Sequence, residues 1–214
     1  MFTGIVQAVG RLRQREALGG DARLAIAAGA LDLDGVRIGD SIAVNGVCLT
    51  ATRLECDGFW ADVSAETLRL TTLGQLGAGA AVNLEKALTL SQPLGGHLMS
   101  GHVDGLGQLL SITPEARSIQ LEFAAPPELA RYIARKGSIA VDGVSLTVNE
   151  VRDRRFTVNL VPHTLQQTIF GALAPGAAVN LEVDMLARYL ERLLQGDSQD
   201  QGSATISAWR RSRA

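Results

Sequence analysis

Three histidines and two cysteines are the residues of this chain that could bind a metal ion or act as a nucleophile. His97 and His102 lie close together and His163 is distant, so a zinc site with three histidine ligands is conceivable. No cluster of acidic or cysteine ligands accompanies them, which argues against this site. Cys48 could be a nucleophile, but no Cys-His-Asn arrangement is evident near it. The sequence therefore predicts no metal site and favours noncovalent over covalent catalysis.

The chain repeats itself after 97 residues, and this repeat is its strongest sequence feature. Residues 41–44 are identical to residues 138–141, and the seven residues 79–85 recur unchanged as residues 176–182. Because units of this length exceed solenoid repeats and can bury cores of their own, we expect two domains of one fold. Their predicted bounds are 1–97 and 98–194, and a polar tail at 195–214 is expected to be disordered.

Within each repeat, apolar and polar residues alternate as they do in short β-strands. Asn45 and Gly46 lie between two such runs, and Asp142 and Gly143 take the same place in the second repeat. Both dipeptides favour the type I′ turn of a β-hairpin. Several short strands in about 95 residues predict a small closed barrel or a sandwich. Two short helices are expected, at residues 64–70 with Ser64 as N-cap and at residues 127–135.

A longer amphipathic helix is predicted after Asp184, ending at Gly196. One face of it carries an apolar stripe composed of Leu186, Tyr189, Leu190, Leu193 and Leu194. Such a stripe needs a partner surface. It could fold back on its own barrel or pair with the same helix of neighbouring subunits, and the pattern leaves both possibilities open.

The composition excludes several classes of protein. A net charge of −2 and 46% hydrophobic residues predict an ordered globular protein, and the 20 lysines and arginines are too scattered to bind nucleic acid. The sequence has no basic leader and no apolar run of the ~18 residues that a membrane span needs, so a cytoplasmic protein without membrane contact is expected. Cys48 and Cys56 are therefore expected to stay free thiols.

The two repeats differ at several polar positions, and differences between copies of one fold reflect either function or drift. Two barrels with matching concave sites would hold two similar ligands, and unequal polar groups would let the protein treat those ligands differently. Cys48 and Ser145 both offer a small hydrogen-bonding side chain. The unequal pairs are Ile5 and His102, Gly39 and Lys136, Cys48 and Ser145, Asp62 and Asn159, Glu66 and His163, and Ala87 and Asp184.

Four segments of the sequence resemble one known family. They read Met-Phe-Thr-Gly-Ile-Val at 1–6, Asn-Gly-Val-Cys-Leu-Thr at 45–50, Gly-Gly-His-Leu-Met-Ser-Gly-His-Val-Asp-Gly at 95–105, and Lys-Gly-Ser-Ile-Ala-Val-Asp-Gly-Val-Ser-Leu-Thr-Val at 136–148. Together they resemble the riboflavin synthase family over residues 1–194. The resemblance implies two homologous six-stranded Greek-key β-barrels and a C-terminal helix that helps to build a homotrimer.

The resemblance also implies a reaction without cofactor or metal. Two molecules of 6,7-dimethyl-8-ribityllumazine dismutate: one gives a four-carbon unit to the other, and the products are riboflavin and 5-amino-6-ribitylaminouracil. In the family, each active site lies between the N-terminal barrel of one subunit and the C-terminal barrel of another. The duplication and the trimer would then serve one purpose.

Carried onto this sequence, the resemblance implies two substrate pockets and a set of catalytic residues. The N-barrel pocket would comprise Gly4, Ile5, Val6, Cys48, Leu49, Thr50, Asp62, Val63, Ser64, Ala65, Glu66 and Thr67. The C-barrel pocket would comprise Gly101, His102, Val103, Lys136, Ser145, Leu146, Thr147, Asn159, Leu160, Val161, Pro162, His163 and Thr164. The expected catalytic residues are His102 with Ser145 and Thr147 for proton transfer, Cys48 with Ser41 for addition to the acceptor, and Phe2, Lys136 and Asp184 near the reacting rings.

One position departs from the family pattern, and the fold itself allows functions other than riboflavin synthesis. His163 stands where a glutamate is expected to bind ribityl hydroxyls. A non-catalytic lumazine-binding antenna protein on the same fold is the alternative, but a protein that only binds has no reason to keep four residues together, namely His102, Lys136, Ser145 and Asp184. A flavin-dependent reductase would need a nicotinamide-binding domain, for which the duplicated halves leave no room.

Overall fold

The chain forms two closed barrels of six antiparallel strands in a computed structural model that describes residues 1–200, with side chains through Gln195. The strands of the first barrel are β1 (Ala8–Leu18), β2 (Asp21–Ala27), β3 (Ser41–Val44), β4 (Val47–Glu55), β5 (Gly58–Val63) and β6 (Ala81–Lys86). Those of the second are β7 (Gly105–Glu115), β8 (Ser118–Ala124), β9 (Ser138–Val141), β10 (Val144–Arg152), β11 (Arg155–Leu160) and β12 (Ala178–Val183). The strand order β1-β2-β5-β4-β3-β6 recurs in the second barrel, which confirms the predicted duplicated Greek-key fold.

Each barrel closes around its own apolar core, as the alternating pattern predicts. In β4 the buried residues Val47, Leu49 and Ala51 alternate with more exposed ones, and the other strands follow the same rule. A β-bulge interrupts the first strand of each barrel, between Leu12 and Gln14 and between Leu109 and Ser111. Because bulges increase local twist and bend the strand, they help a short sheet to close.

The predicted type I′ turns are confirmed, and they lie at the contact between the barrels. Asn45 and Gly46 have φ angles of 47° and 79°, and Asp142 and Gly143 have φ angles of 45° and 78°. The two turns meet tip to tip: a Cβ on Gly46 would lie 2.8 Å from the backbone N of Gly143. Glycine is therefore required at both tips, because no side chain fits between them.

Buried asparagines join the two barrels around these turns. Nδ2 of Asn83 donates to the carbonyl of Asp142 (2.9 Å), and Nδ2 of Asn180 donates to the carbonyl of Asn45 (2.8 Å). Each asparagine Oδ1 also accepts a backbone N–H from the other barrel. Both asparagines belong to the seven-residue segment that recurs unchanged. The barrel contact thus has approximate twofold symmetry, and this symmetry explains why the segment is repeated.

The helices agree only partly with expectation. Helix α1 spans Ala65–Leu70 and Ser64 caps it as predicted, its side chain accepting from the N–H of Thr67. Helix α2 covers only Pro127–Ala130, so the predicted extension to residue 135 is wrong. There the backbone turns through i→i−3 hydrogen bonds instead, before Lys136 adopts a φ of 66°. Helix α3, at Pro162–Gln167, is the second-repeat counterpart of α1.

A fourth helix, α4, spans Met185–Asp200. It continues past the predicted end at Gly196, which is physically inexpensive because a glycine inside a helix costs only about 1 kcal/mol relative to alanine. The five residues of the predicted apolar stripe are all exposed, by 60% to 69%. The predicted tail at 195–214 is helical as far as Asp200, and its remainder lies outside the described residues.

Candidate functional site

A small cavity lies beside the beginning of β4 in the first barrel, and we call it the first pocket. Its volume is about 170 Å³. Cys48 forms one wall, Glu66 and Thr67 of α1 form another, and the segment from Gly101 to Val103 closes it. The backbone N–H of Cys48 donates to the carbonyl of Gly101 (2.8 Å), which fixes that segment against the strand.

The segment that closes the first pocket is anchored by a carboxylate of the second barrel. Oε1 of Glu182, in β12, accepts from the N–H (2.6 Å) and the hydroxyl (2.7 Å) of Ser100, and Oε2 accepts from the N–H of Gly101 (3.0 Å). The hydroxyl of Ser100 in turn accepts from the N–H of His102 (3.2 Å). One carboxylate therefore orders three consecutive residues, of which Gly101 and His102 line the first pocket.

The second barrel has a counterpart surface with the same construction. The N–H of Ser145 donates to the carbonyl of Gly4 (2.8 Å), as Cys48 does to Gly101. Glu85, in β6 of the first barrel, accepts from the N–H (2.7 Å) and hydroxyl (2.6 Å) of Thr3 and from the N–H of Gly4 (3.0 Å). Val6 packs against the core of the second barrel. We call this surface the second-barrel counterpart.

The structure thus exchanges two of the predicted segments between the pockets. Residues 4–6 were expected in the N-barrel pocket, but they lie against Ser145 of the second barrel. Residues 101–103 were expected in the C-barrel pocket, but they line the first pocket beside Cys48. The structure therefore groups these segments differently from the expectation. Gly4 and Gly101 each donate to the glutamate of their own barrel, while their carbonyls accept from a strand of the other barrel.

The crossing also changes which histidine lies beside Ser145. Nδ1 of His97 is 2.7 Å from Oγ of Ser145, whereas His102, the predicted partner, lines the first pocket. Burial lowers the pKa of His97, and the nearby Asp184 carboxylate opposes this shift. The imidazole is therefore neutral near pH 7 and can exchange a proton with the hydroxyl. Sequence reasoning considered His97 only as a zinc ligand.

The other predicted catalytic residues lie in different surroundings. Phe2 is fully buried in a small cluster with Ala43, Met99 and Ala140, so it can act only by positioning other groups. Ser41 lines a separate cavity of about 550 Å³ and does not line the first pocket with Cys48. Three further predicted residues differ in exposure: Lys136 and Thr147 are exposed and Asp184 is half-buried.

Several predicted binding residues can offer only their backbone or are already paired. Leu49, Leu146, Val63 and Leu160 point into the barrel cores. Outside the cores, Asp62 is paired with Arg23 (2.6 Å), and the hydrogen bond from Arg23 lowers the pKa of that carboxyl group. Asn159 donates to Glu115 (2.6 Å). The remaining predicted residues of these strand ends, Ile5, Thr50, Ser64, Ala65, Val161, Pro162 and His163, are exposed, and Thr164 is half-buried.

His163 differs from Glu66 together with a neighbouring residue. In α1, Glu66 forms an ion pair with Arg69 (2.8 Å). In α3, the corresponding positions are His163 and Gln166, so both members of the pair are changed. The two helices therefore present different side chains to a ligand although their backbones correspond.

Sequence reasoning missed the two glutamates, and a signal for them was present. Glu85 and Glu182 end the seven-residue segment that recurs unchanged, and each lies in a buried stretch of its barrel strand. A charged residue that is kept in both copies of a buried strand indicates a specific partner, because burying an unpaired carboxylate is costly. Burial raises the pKa of both carboxyl groups, and the hydrogen bonds from Thr3 and Ser100 oppose the shift.

No group of three or more His, Cys, Asp or Glu side chains in residues 1–195 is arranged to hold a metal ion. Over the same residues, no helix combines the length and the apolar character that crossing a membrane requires.

Comparison with known proteins agrees with this geometry. The family model for the lumazine binding domain matches the chain twice, at residues 3–87 and 100–184. The fold and the duplicated pockets therefore define a protein of two lumazine binding domains.

Curated relatives narrow the assignment. Riboflavin synthase of Photobacterium phosphoreum is 43% identical over 97% of this chain and 95% of its own length. The Mycobacterium tuberculosis H37Rv enzyme is 48% identical over 91% and 98%, and the Bacillus subtilis enzyme is 38% identical over 97% and 96%. The chain belongs to the riboflavin synthase family.

Solved structures of similar fold include complexes of LumP. LumP complexed with riboflavin has a TM-score of 0.79 and 28% identity, covering 86% of this chain and 99% of LumP. LumP complexed with 6,7-dimethyl-8-(1′-D-ribityl)lumazine has a TM-score of 0.77 at the same identity and coverage. The higher identity to the riboflavin synthases favours the catalytic interpretation over a binding protein without catalysis.

Proposed function

We propose that this chain catalyses the dismutation of two 6,7-dimethyl-8-ribityllumazine molecules to riboflavin and 5-amino-6-ribitylaminouracil, with one substrate held by the first pocket and the other by the second-barrel counterpart. The observation that carries the proposal is the pair of equivalent surfaces with unequal polar groups. Cys48 and His102 lie at one, and Ser145 with His97 lies at the other. Two copies of one substrate would thus contact different side chains.

The residue types suit the reaction. The C7 methyl group of the lumazine is acidic because its carbanion delocalises into the ring, so a modest base is enough to remove the proton. The neutral imidazole of His97, which is hydrogen-bonded to Ser145, can take up a proton that arrives at Oγ. Backbone groups beside Leu49 and Leu146 are available to the ring edges. Lys136, Asp184, Thr147 and Ser41 would act near the reacting rings in the same active site.

Positioning is the largest contribution to the rate in this proposal. Holding two reactants face to face can supply roughly 7 to 11 kcal/mol of the activation barrier. A site of ordinary side chains and backbone amides can provide this without a cofactor or metal. The role of Phe2 is then to keep neighbouring groups of the surfaces in place.

We also propose that each complete active site combines the first pocket of one subunit with the second-barrel counterpart of another in a cytoplasmic homotrimer. The first pocket, at about 170 Å³, is smaller than the roughly 300–1,000 Å³ of typical ligand sites, so another surface is needed to enclose a substrate. The apolar stripe of α4 is a suitable surface for contacts between subunits. The predicted domain bounds, 1–97 and 98–194, are part of this proposal.

The direct test of function is incubation of the purified protein with 6,7-dimethyl-8-ribityllumazine alone. We expect riboflavin and the pyrimidine product in equal amounts, measured by absorbance and chromatography. Boiled protein is the control for the spontaneous reaction. Tight fluorescent binding without turnover would instead support the antenna function and contradict the proposed one.

The trimer is tested by placing a charge in the apolar stripe. We expect Leu190→Glu to dissociate the protein into monomers, because burying an unpaired carboxylate between subunits is unfavourable. Sedimentation velocity measures the mass, and activity should fall together with the trimer fraction. Arg192→Glu, which lies off the stripe by helical spacing, is the control and should keep the parent mass. A trimer that persists in the Leu190 variant would contradict this role of the helix.

A further inference from the structure

The two buried glutamates are the feature of the molecule that the reaction itself does not use. Glu85 is 3% exposed and Glu182 is 5% exposed, and each accepts three hydrogen bonds. Neither carboxylate lines the first pocket. We call each glutamate, together with the donors it gathers, a carboxylate clamp.

Each clamp sets the direction of a short hydrogen-bond chain. Because the ionised carboxylate of Glu182 can only accept, the hydroxyl of Ser100 must donate to it. The lone pairs of that hydroxyl are then free to accept from the N–H of His102. The clamp at Glu85 has the same sequence of bonds through Thr3 to the N–H of Ile5.

Each clamp also holds a glycine whose carbonyl reaches the opposite barrel. Gly101 has a φ of 80° and accepts from Cys48, and Gly4 has a φ of 75° and accepts from Ser145. Glu182 lies in β12 of the second barrel but holds a wall of the first pocket. Glu85 lies in β6 of the first barrel but holds part of the second-barrel counterpart. The position of one barrel relative to the other is thereby transmitted to both substrate surfaces.

We propose that Glu182 is a positioning residue for the first pocket and that Glu85 has the same role for the second-barrel counterpart, each acting across the boundary between the barrels. The effect on turnover rests on the proposed function, whereas the effect on the pocket wall does not. Titratable groups also face the clamps: His102 is near Glu182, and the N-terminal amino group is near Glu85.

The glutamine variants separate a local role from general destabilisation. Glu182→Gln keeps one acceptor oxygen but turns an N–H donor toward a backbone N–H, so the wall at Gly101 and His102 must shift. Iodoacetamide labelling of Cys48 reports on this wall, in a Cys56→Ser background that removes the exposed second thiol. We expect Glu182→Gln to alkylate several-fold faster at Cys48 and Glu85→Gln to alkylate at the parent rate.

Turnover gives the second measurement. We expect both glutamine variants to lose kcat by roughly 10- to 100-fold with a smaller change in KM, because misplaced reactants lose orientation. Ser100→Ala should resemble Glu182→Gln, since it removes the hydroxyl that connects the carboxylate to His102. Ser100→Thr should restore most of the loss, because Thr3 occupies the equivalent position in the other clamp.

Three results would overturn the inference: equal acceleration of Cys48 labelling by both glutamine variants, parent-like kcat in Glu182→Gln, or a Ser100→Thr variant as impaired as Ser100→Ala. A parent protein that makes no riboflavin would refute the proposed function instead. In that event the labelling rates alone decide whether the clamps position the wall. Thermal unfolding of every variant shows that each one is folded at the assay temperature.

Discussion

Gly101→Ala will reduce turnover by about 100-fold or more, the size expected when reactants are displaced by an ångström. An added Cβ would lie 2.7 Å from Cβ of Cys48 and 2.7 Å from the ring of Phe2. Neither neighbour can yield easily, because Phe2 is fully buried and Cys48 packs against the same cluster. The wall of the first pocket must therefore move away from Cys48. This movement breaks the hydrogen bond from the backbone N–H of Cys48 to the carbonyl of Gly101.

Two other glycines separate the causes of this loss. Gly79 has a φ of 88° and no atom within 4 Å of an added Cβ, so Gly79→Ala measures the cost of the backbone conformation alone. That cost is about 1–2 kcal/mol of stability. Gly77 has neither a positive φ nor a close neighbour, and Gly77→Ala should behave as the parent. If kcat/KM of Gly101→Ala equals that of Gly79→Ala, the close approach to Cys48 has no effect on turnover.

Asp142→Asn will make the protein more stable at neutral and alkaline pH and will remove part of its pH dependence. Complete burial raises the pKa of Asp142 to about 7, despite the N–H of Asn180 that donates to it. A raised pKa means that folding favours the protonated carboxyl. The stability it contributes is fully present below about pH 4 and is lost as the pH rises through about 7, a difference of about 4 kcal/mol for the parent.

The first repeat supplies the matched variant for this experiment. Asn45 occupies the position equivalent to Asp142, and its Oδ1 accepts from the N–H of Asn83 (2.7 Å) just as Asp142 accepts from Asn180. Asn45→Asp should therefore add the same pH dependence that Asp142→Asn removes. Urea unfolding at pH 5 and pH 8 measures both. An Asp142→Asn variant whose stability changes with pH as the parent's does would mean that the carboxyl group ionises without penalty in the folded chain.

The sequence by itself determined the duplicated fold, because the information for it is local and periodic. The same barrel is specified in each repeat by three local features. They are the alternating burial along each strand, the glycine of each type I′ turn, and the unchanged segment that ends at Glu85 and Glu182. The same local signals predict the N-cap at Ser64. The family resemblance places Cys48, Glu66 and Thr67 of the first pocket together, and these three residues come from one repeat.

Only the tertiary structure decided which segments meet. The carbonyl of Gly4 accepts from Ser145, and that of Gly101 accepts from Cys48, in contacts that no spacing within a repeat encodes. Likewise His97 lies between the two matched lumazine binding domains, at 3–87 and 100–184, so comparing the repeats could not pair it with Ser145. Such contacts depend on how the two barrels pack around the buried asparagines, and that packing joins residues that are far apart in the sequence.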